Sequence, residues 1–418
     1  MPKARSRNPA ARSRKPEAGS LKPEAGALAR PSDALSSDQL LEMYWFARLA
    51  REIEERLVIL FRQSKVIGGL YRSLGQEGES VGTAYALTKT DAILPLIRNM
   101  GALMTMGVRP KEIFLQYMAK GESNSRGRDL NIHIVHMPAW TREGETGTLT
   151  FSAGASPEKV SVPVSPEPVV VGPISMLGDS IPVACGIAMG ARMRRSAGSR
   201  EARSTGSPQV PDVVAMAWIG DGATSTGAFH EGLNFAAVQK APLVVVAEDN
   251  KFAYSTPIAK QMAITRIDER AAAYGIPHEM VDGNDILAVY DVAKRMVDRA
   301  RAGDGASLIG VDTMRMQGHA QHDDARYVPS ALLEEWQGKD PIARFTKVLL
   351  ERGAADENRV AEIDRMAKSY AAEEADEAEK SPMPDPDSVV RGVYAGDDYA
   401  QPKLEFVKSP FAENHVIG

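Results

Sequence analysis

Between residues 213 and 316, continuous apolar segments alternate with segments of helical periodicity. The apolar segments are "VVAMAWIGDG", "APLVVVAEDN" and "ASLIGVDTMRM", and the helical patterns between them are "FHEGLNFAAVQ" and "LAVYDVAKRMVDRARAG". An unbroken apolar strand is typical of a parallel sheet that helices cover on both faces. The alternation therefore predicts an α/β fold with a doubly wound, mostly parallel sheet flanked by helices.

Amphipathic patterns predict further helices on either side of this centre. The first is "DQLLEMYWFARLAREIEERLVILFRQ", with "SSD" as its N-terminal cap, and others are "SVGTAYALTKT", "KEIFLQYMAKG" and "ACGIAMGARMR". Helical patterns return after residue 330, in "LLEEWQGKDPIARFTKVLLERG" and "ENRVAEIDRMAKSYAAEEADEAEK". We expect a single domain over residues 35–395, with a polar loop at 121–138.

Four segments differ in composition from this domain. Residues 1–34 are rich in Arg, Lys, Pro and Ala, repeat KPEAG and contain few large apolar residues. They predict a disordered basic tail, with a transit peptide or a docking arm as alternatives. Insertions are predicted near 139–171 and 196–211, the second as an exposed flexible loop. Residues 396–418 are predicted to form a C-terminal extension.

Composition limits the classes of function. The 418 residues are 43% hydrophobic with a formal net charge of −5, which gives no argument for a nucleic-acid partner. No apolar run is long enough to span a membrane, and no secretory signal is visible. The single cysteine, Cys185, cannot form an internal disulfide and is expected to be a small buried residue. We expect a cytoplasmic protein of bacterial type, with the mitochondrial matrix as the alternative.

The stretch "AMAWIGDGATSTGAFHEGLNF" places Asp221 between two glycines where a buried strand ends. Ligands bind beyond the carboxyl ends of parallel strands, glycines allow close approach, and a following helix start favours an anion. Asn250 ends the next predicted strand, so both side chains can face one site. Their oxygens suit Mg²⁺ that anchors a phosphorylated cofactor. A loop turn with a solvated Asp221 is the alternative. The fingerprints GxGxxG and GxxxxGK[ST] are absent.

The segment "GDGATSTGAFHEGLNFAAVQKAPLVVVAEDNKFAYSTP" resembles the thiamine diphosphate motif of the α subunits of 2-oxo acid dehydrogenases, the decarboxylating components of the pyruvate and branched-chain complexes. The resemblance covers about residues 38 to 395. Its other landmarks, in order, are "YRSLGQEGESVGTAYAL", "IRNMGALMTMGVRPKEIF", "GRDLNIHIVH", "SMLGDSIPVACGIAMGA", "VDGNDILAVY" and "GHAQHDDARY". It implies the thiamine diphosphate-binding fold and oxidative decarboxylation of pyruvate or branched-chain 2-oxo acids.

The resemblance also implies roles at matching positions. Asp221, Asn250 and the backbone carbonyl of Phe252 would bind Mg²⁺. His319 matches an active-site histidine on a mobile loop that helps acyl transfer to lipoamide. The positions implied to bind the cofactor are Gly220, Gly222, Ala223 and Arg98 at the diphosphate, and Ser175 and Leu177, through their backbone, at the aminopyrimidine ring. Without the resemblance, Arg98 could be a helical surface ion pair and His319 an ordinary loop histidine.

The chain departs from the family pattern at three positions near these residues. Ile97 replaces a frequent tyrosine, so one hydroxyl contact to the diphosphate is missing. Asp249 replaces an asparagine and adds a carboxylate near the metal. Ala320 stands where mitochondrial members carry a regulatory phosphoserine, which excludes kinase control at that residue.

The other histidines have weaker predicted roles. His133 resembles a position near the active site, but a structural hydrogen bond is an equal alternative, and His136 lies in the same loop. His230 is expected to be structural. His322 could form a metal cluster with Asp323 and Asp324, although contiguous polar loop residues are usually solvated.

The resemblance finally implies partners. A β subunit would supply the glutamate for the aminopyrimidine nitrogen and the other half of the cleft, in a heterotetramer of two α and two β chains. The chain would be inactive alone, and a lipoyl acyltransferase core would receive the acyl group. The alternatives are the α subunit of an acetoin dehydrogenase and a non-catalytic scaffold of the same fold.

Overall fold

The computed structural model describes residues 29–137, 147–151, 158–162, 168–205, 213–392 and 402–411. The strands are β1 (Ala92–Leu94), β2 (Val135–His136), β3 (Gly147–Phe151), β4 (Glu158–Val162), β5 (Val169–Val171), β6 (Ala215–Gly220), β7 (Leu243–Asp249), β8 (Phe252–Ala253), β9 (Thr256–Pro257), β10 (His278–Asp282) and β11 (Ser307–Asp312). The helices are α1 (Ser37–Arg62), α2 (Glu77–Ala84), α3 (Met100–Thr105), α4 (Pro110–Tyr117), α5 (Ser180–Thr205), α6 (Gly227–Gln239), α7 (Ile286–Arg301), α8 (Ser330–Gln337), α9 (Pro341–Glu351) and α10 (Glu357–Lys380).

Seven strands form one sheet in the order β10-β11-β7-β6-β1-β5-β2. Every neighbouring pair is parallel except β2 with β5. Among the described residues, β3 pairs with β4 and β8 pairs with β9 as short antiparallel hairpins. The predicted α/β class and mostly parallel sheet are confirmed.

Successive residues of the central strands enter two different hydrophobic cores. In β6, Met216 and Trp218 belong to a core with α1–α4, α7, α9 and α10. Ala217 and Ile219 belong to the other core, which α5, α6 and the 3-10 segment Ile267–Tyr274 cover. Because side chains alternate along a strand, continuous apolar runs are required when both faces are buried. The doubly wound arrangement is therefore confirmed.

Three boundaries differ from those expected. Pro31–Ala34 is a 3-10 segment that belongs to the fold, because the Ser32 amide and hydroxyl donate to the Asp291 carboxylate at 2.7 and 2.9 Å. Residues 169–171 are sheet strand β5 rather than part of an insertion. Residues 196–205 continue α5, so the expected loop is helical there. The rest of the predicted tail and of both insertions lies largely outside the described residues.

The described part of the C-terminal extension, 402–411, packs against the helical core. Val108 and Phe406 form an antiparallel bridge, and the Phe411 ring lies 6.3 Å from that of Trp45. Leu404 and Phe411 are buried in the same core as α1. Within the described residues, no helix is long and apolar enough to cross a membrane.

Candidate active site

The predicted site residues follow the carboxyl ends of five neighbouring strands. Asp221 follows β6 and Asn250 follows β7. The last pair in the register of these two strands is Gly220 with Glu248. Arg98 follows β1, Ser175 and Leu177 follow β5, and His319 follows β11, and these strands lie in the same part of the sheet. Parallel strands end at one edge, so the fold collects these residues there.

Two buried oxygen-bearing side chains form the centre of the site. Asp221 is 2% and Asn250 6% exposed. The Asp221 amide donates to the Glu248 carbonyl at 2.9 Å, and its Oδ2 accepts from Gln261 Nε2 at 2.8 Å. Burial raises the pKa of Asp221. Asn250 Oδ1 and Gln261 Oε1 are buried without a hydrogen-bond donor among the described residues. Such unsatisfied oxygens beside a carboxylate fit a hard divalent cation.

The loop after Asn250 is held by an unusual backbone and an ion pair. Lys251 has φ 77° and Tyr254 has φ 53°, which turns the chain into the β8–β9 hairpin that contains Phe252. Lys251 Nζ lies 3.2 Å from Asp249 Oδ2 and also pairs with Asp312. The carboxylate that replaces the expected asparagine therefore has its own cation.

Gly222 lies where backbone approach is tight. A Cβ at this position would lie 2.6 Å from the Cβ of Ala253, on the neighbouring hairpin. The short 3-10 turn Gly222–Ser225 then leads into α6, which the Thr226 side chain caps. Ala223 is buried in this turn, whereas Gly220 has open space at its Cα. Gly222 therefore has no side chain at the point where the turn after β6 comes closest to the β8–β9 hairpin.

Arg98 lies in the turn after β1 rather than on a helix, and it is only 9% exposed. It donates to the His319 carbonyl oxygen at 2.5 Å, and its Nε has no partner among the described residues. No described carboxylate forms a salt bridge with it. Burial, followed by the charge of Arg315, lowers the pKa of Arg98 to about 10. The carboxylates of Glu248 and Glu54 act on this charge only from beyond salt-bridge distance. A desolvated guanidinium with no carboxylate in direct contact is suited to a phosphate oxygen.

His319 lies between two guanidinium groups. Its Nδ1 is 3.4 Å from Arg98 Nη2 and 3.2 Å from Arg315 Nη1. Guanidinium groups only donate, so Nδ1 accepts and the neutral ring carries its proton on Nε2. Burial, Arg98 and Arg315 lower the pKa of His319 to about 4. The rings of Tyr254 and Tyr71 lie 4.5 and 5.4 Å from the imidazole.

Arg315 is a site residue that sequence reasoning missed. It is 2% exposed and donates to the Tyr254 carbonyl at 2.8 Å and the Tyr327 hydroxyl at 2.6 Å. Tyr327 donates to Asp323 at 2.7 Å, and Asp323 accepts the His319 amide at 2.6 Å. These hydrogen bonds anchor the His319 loop. The only available signal was an arginine inside the "TMRMQGH" stretch, which by itself has no functional spacing.

Ser175 and Leu177 follow β5 at the same edge, but their side chains are exposed. Met176 between them is 65% exposed and Leu177 53%. Gly178 has φ 105°, and a Cβ there would lie 2.2 Å from the Thr226 hydroxyl at the start of α6. The segment is therefore fixed to α6 at Gly178 while its apolar side chains face outward.

The other histidines make contacts outside this constellation. His133 Nδ1 lies 2.8 Å from Asp129, and the His136 ring packs on Phe406. His230 hydrogen-bonds the Tyr274 hydroxyl, as its expected structural role requires. His322 is exposed, and the described residues contain no cluster of three or more His, Cys, Asp or Glu that could hold a metal.

The sequence is similar to known proteins that all belong to one family. The sequence profile of the dehydrogenase E1 component family matches residues 46–156 and 158–387. The 2-oxoisovalerate dehydrogenase subunit alpha of Bacillus subtilis (strain 168) is 33% identical over 365 residues, 86% of this chain and 97% of the relative. The pyruvate dehydrogenase E1 component subunit alpha of Staphylococcus aureus (strain Mu50 / ATCC 700699) is 33% identical over 352 residues, 83% of this chain and 80% of the relative.

A plant relative extends the comparison. The pyruvate dehydrogenase E1 component subunit alpha-3, chloroplastic, of Arabidopsis thaliana is 27% identical over 361 residues, 86% of this chain and 76% of the relative. The mostly parallel sheet and these similarities agree on the family. The chain belongs to the dehydrogenase E1 component family, which depends on thiamine diphosphate, and within it to the α subunits of 2-oxo acid dehydrogenases.

Proposed function

We propose that the chain acts in oxidative decarboxylation of pyruvate or a branched-chain 2-oxo acid, with thiamine diphosphate held through Mg²⁺. One observation carries this proposal. At a single sheet edge, the unsatisfied oxygen of Asn250 lies in the same buried site as Asp221, and the buried guanidinium of Arg98 has no described counter-ion. These two deficits are complementary to a cation bound to a diphosphate.

Different residues of the site would hold the metal, the aminopyrimidine ring and the diphosphate. Asp221, Asn250 and the Phe252 carbonyl would bind Mg²⁺. Ser175 and Leu177 would contact the aminopyrimidine ring through their backbone. The positions that would contact the diphosphate are Gly220, Gly222, Ala223 and Arg98. When bound, thiamine diphosphate supplies a carbon nucleophile that also accepts the electrons left by departing CO₂.

The chain itself contributes orientation and a held proton. Lys251 and the β8–β9 hairpin keep the Asn250 loop in place, and Arg315 fixes the His319 loop. His319 accepts at Nδ1, so its Nε2–H is the side of the ring that can donate to a substrate or to a lipoyl group. Because the pKa of His319 is low, the ring stays neutral at physiological pH.

A β subunit is part of the proposal. Met176 and Leu177 are large, apolar and exposed beside the site, which supports cover by another chain. That β subunit would supply the glutamate at the aminopyrimidine nitrogen, in a heterotetramer of two α and two β chains, and the α chain alone would be inactive. The acyl group would pass to the lipoyl group of an acyltransferase core. The Bacillus and Staphylococcus relatives support a location in the bacterial cytoplasm.

The test is co-expression with the β subunit from the neighbouring gene. Decarboxylation of pyruvate and of 3-methyl-2-oxobutanoate is followed with an artificial electron acceptor, with and without Mg²⁺ and thiamine diphosphate. Cofactor-dependent turnover that is lost in Asp221→Ala would support the proposal and select the substrate. A stable complex with no turnover of either acid, or turnover by the α chain alone at a normal rate, would contradict it.

A further inference from the structure

The residue after Arg98 makes an unusual set of hydrogen bonds. Asn99 is fully buried, and its Oδ1 accepts from the Leu96 amide at 2.7 Å. Its Nδ2 donates to Glu79 Oε1 at 3.1 Å and to Glu248 Oε1 at 2.9 Å. One amide thus uses its acceptor on the adjoining turn and both of its donors on buried carboxyl groups. We call Asn99, Glu79 and Glu248 the Asn99 node.

The Asn99 node joins the Arg98 turn to β7, the strand that leads to Asn250, and to the neighbouring helix α2. Glu79 lies on α2 and Glu248 on β7, and Asn99 closes the turn between β1 and α3. The Glu248 backbone carbonyl accepts the Asp221 amide at 2.9 Å. A short path of hydrogen bonds therefore runs from Asn99, beside Arg98, through Glu248 to Asp221.

The two carboxyl groups of the node depend on amide donors. Glu79 and Glu248 are at most 1% exposed and interact with each other, and burial and Glu248 together raise the pKa of Glu79. Neither lies within salt-bridge distance of a described cation, although the charge of Arg98 acts on Glu248. Gln76 Nε2 donates to Glu248 Oε2 at 3.1 Å, while Glu79 Oε2 has no partner among the described residues. Asn99 is the donor that both carboxyl groups share. Its loss would leave buried carboxyl oxygens without a partner, which is costly enough to shift the elements that carry them.

We propose that Asn99 is a positioning residue, which fixes the Arg98 turn relative to Asp221 so that Arg98 and Asp221 engage one metal diphosphate. This inference rests on the proposed function and adds Asn99 to the residues that function requires. Asn99 touches neither cofactor nor substrate by this account. It acts through Arg98 on one side and through Glu248 on the other.

The chain offers variants that separate this role from simple stability. Asn99→Asp keeps the shape but replaces two donors with a third carboxylate, and Asn99→Ser keeps a single donor. Glu79→Gln is the matched control, because a glutamine oxygen still accepts from Asn99. Leu349→Ala, at a fully buried position of α9 in the helical core, is a stability control that replaces none of the proposed site residues.

The experiment measures equilibrium binding by calorimetry to the α chain in complex with its β subunit, at saturating Mg²⁺. The probes are thiamine diphosphate and inorganic diphosphate, and melting temperatures are recorded for every variant. We expect Asn99→Asp to raise the Kd of both probes by about 10- to 100-fold, and Asn99→Ser by less. Glu79→Gln should change Kd by less than about twofold. Leu349→Ala should lower the melting temperature and leave Kd unchanged.

The outcomes distinguish the inference from the proposed function. Wild-type binding with an unchanged Kd in both Asn99 variants would overturn the positioning role alone, even if their melting temperatures fell. An equal loss of affinity in Glu79→Gln would also overturn it, since the carboxyl charge rather than the Asn99 amide would then matter. No binding of thiamine diphosphate by the wild-type complex would overturn the proposed function first.

Discussion

The two halves of the candidate site are deficient in opposite ways. The half after β6 and β7 presents oxygen atoms, and Asn250 Oδ1 and Gln261 Oε1 have no described donor. The half after β1 and β11 presents N–H groups, and Arg98 has no described counter-ion. Each half is buried, so neither deficit is met by bulk water. Together they are complementary to the proposed ligand, a cation bound to a diphosphate.

The halves also differ in what holds them in place. Strand register and tight backbone turns place the oxygen half, from Gly220–Glu248 pairing to the hairpin after Asn250. Side chains distant in sequence build the donor half, where Arg98 reaches His319 and its loop. The first half should therefore be sensitive to backbone changes and the second to single side-chain changes.

The largest expected effect is in the oxygen half. Asp221→Ala removes the only acidic metal ligand of the proposed set, so we expect turnover with Mg²⁺ and thiamine diphosphate to fall at least about 100-fold. Steady-state decarboxylation by the αβ complex measures it. Asp249→Asn is the control, because Asp249 pairs with Lys251 and is not a proposed ligand. Comparable losses in both variants would disprove the assignment of Asp221.

The next effect tests the donor half. Arg98→Met removes a buried charge and keeps most of the side-chain volume, so we expect the Kd of thiamine diphosphate to rise about 10- to 100-fold. The ligand-free complex should melt at the same or a higher temperature, because a desolvated charge with no carboxylate in direct contact is removed. Calorimetry and thermal denaturation provide the two measurements. Arg98→Lys should recover part of the affinity. Weaker binding together with a large drop in melting temperature would indicate a structural role instead.

A backbone change should affect the oxygen half through crowding. Gly222→Ala places a methyl group against Ala253, where the ideal separation would be 2.6 Å, so the turn or the hairpin must move. We expect a rise in Kd of roughly tenfold. The double variant Gly222→Ala/Ala253→Gly removes the opposing methyl group and should restore most of the affinity. Failure of the second substitution to restore binding would exclude this contact as the cause.

The smallest effect concerns the protonation of His319. The pKa of about 4 lies below the value near 6.5 expected in an unfolded chain, so the unfolded state binds more protons between these values. This residue should thus reduce stability as the pH falls from about 6.5 to 4, with no change above 6.5. NMR titration of the ring in the wild type, assigned with His319→Gln, gives the pKa directly. A midpoint above 6 would show that Arg98 and Arg315 do not control the ring.

Parts of this site follow from local sequence and others do not. Glycines around Asp221 and the strand–helix–strand spacing to Asn250 indicate the oxygen half, because both depend on neighbouring elements in one stretch. Arg315 and Gln261 carry no such spacing, and their importance depends on which loops meet at the edge. Asn99 is likewise an ordinary residue in the sequence, and its two buried carboxyl partners come from separate elements.

The sequence by itself determined the doubly wound α/β class, because unbroken apolar strands between amphipathic helices can be buried in few other ways. It also determined the order of the family landmarks and the Asp221–Asn250 pair. Only the tertiary structure decided that Arg98 is buried without a counter-ion, that His319 accepts from two arginines, and that residues 196–205 continue a helix. Burial and hydrogen-bond pairing are properties of whole-chain packing, so no local pattern can specify them.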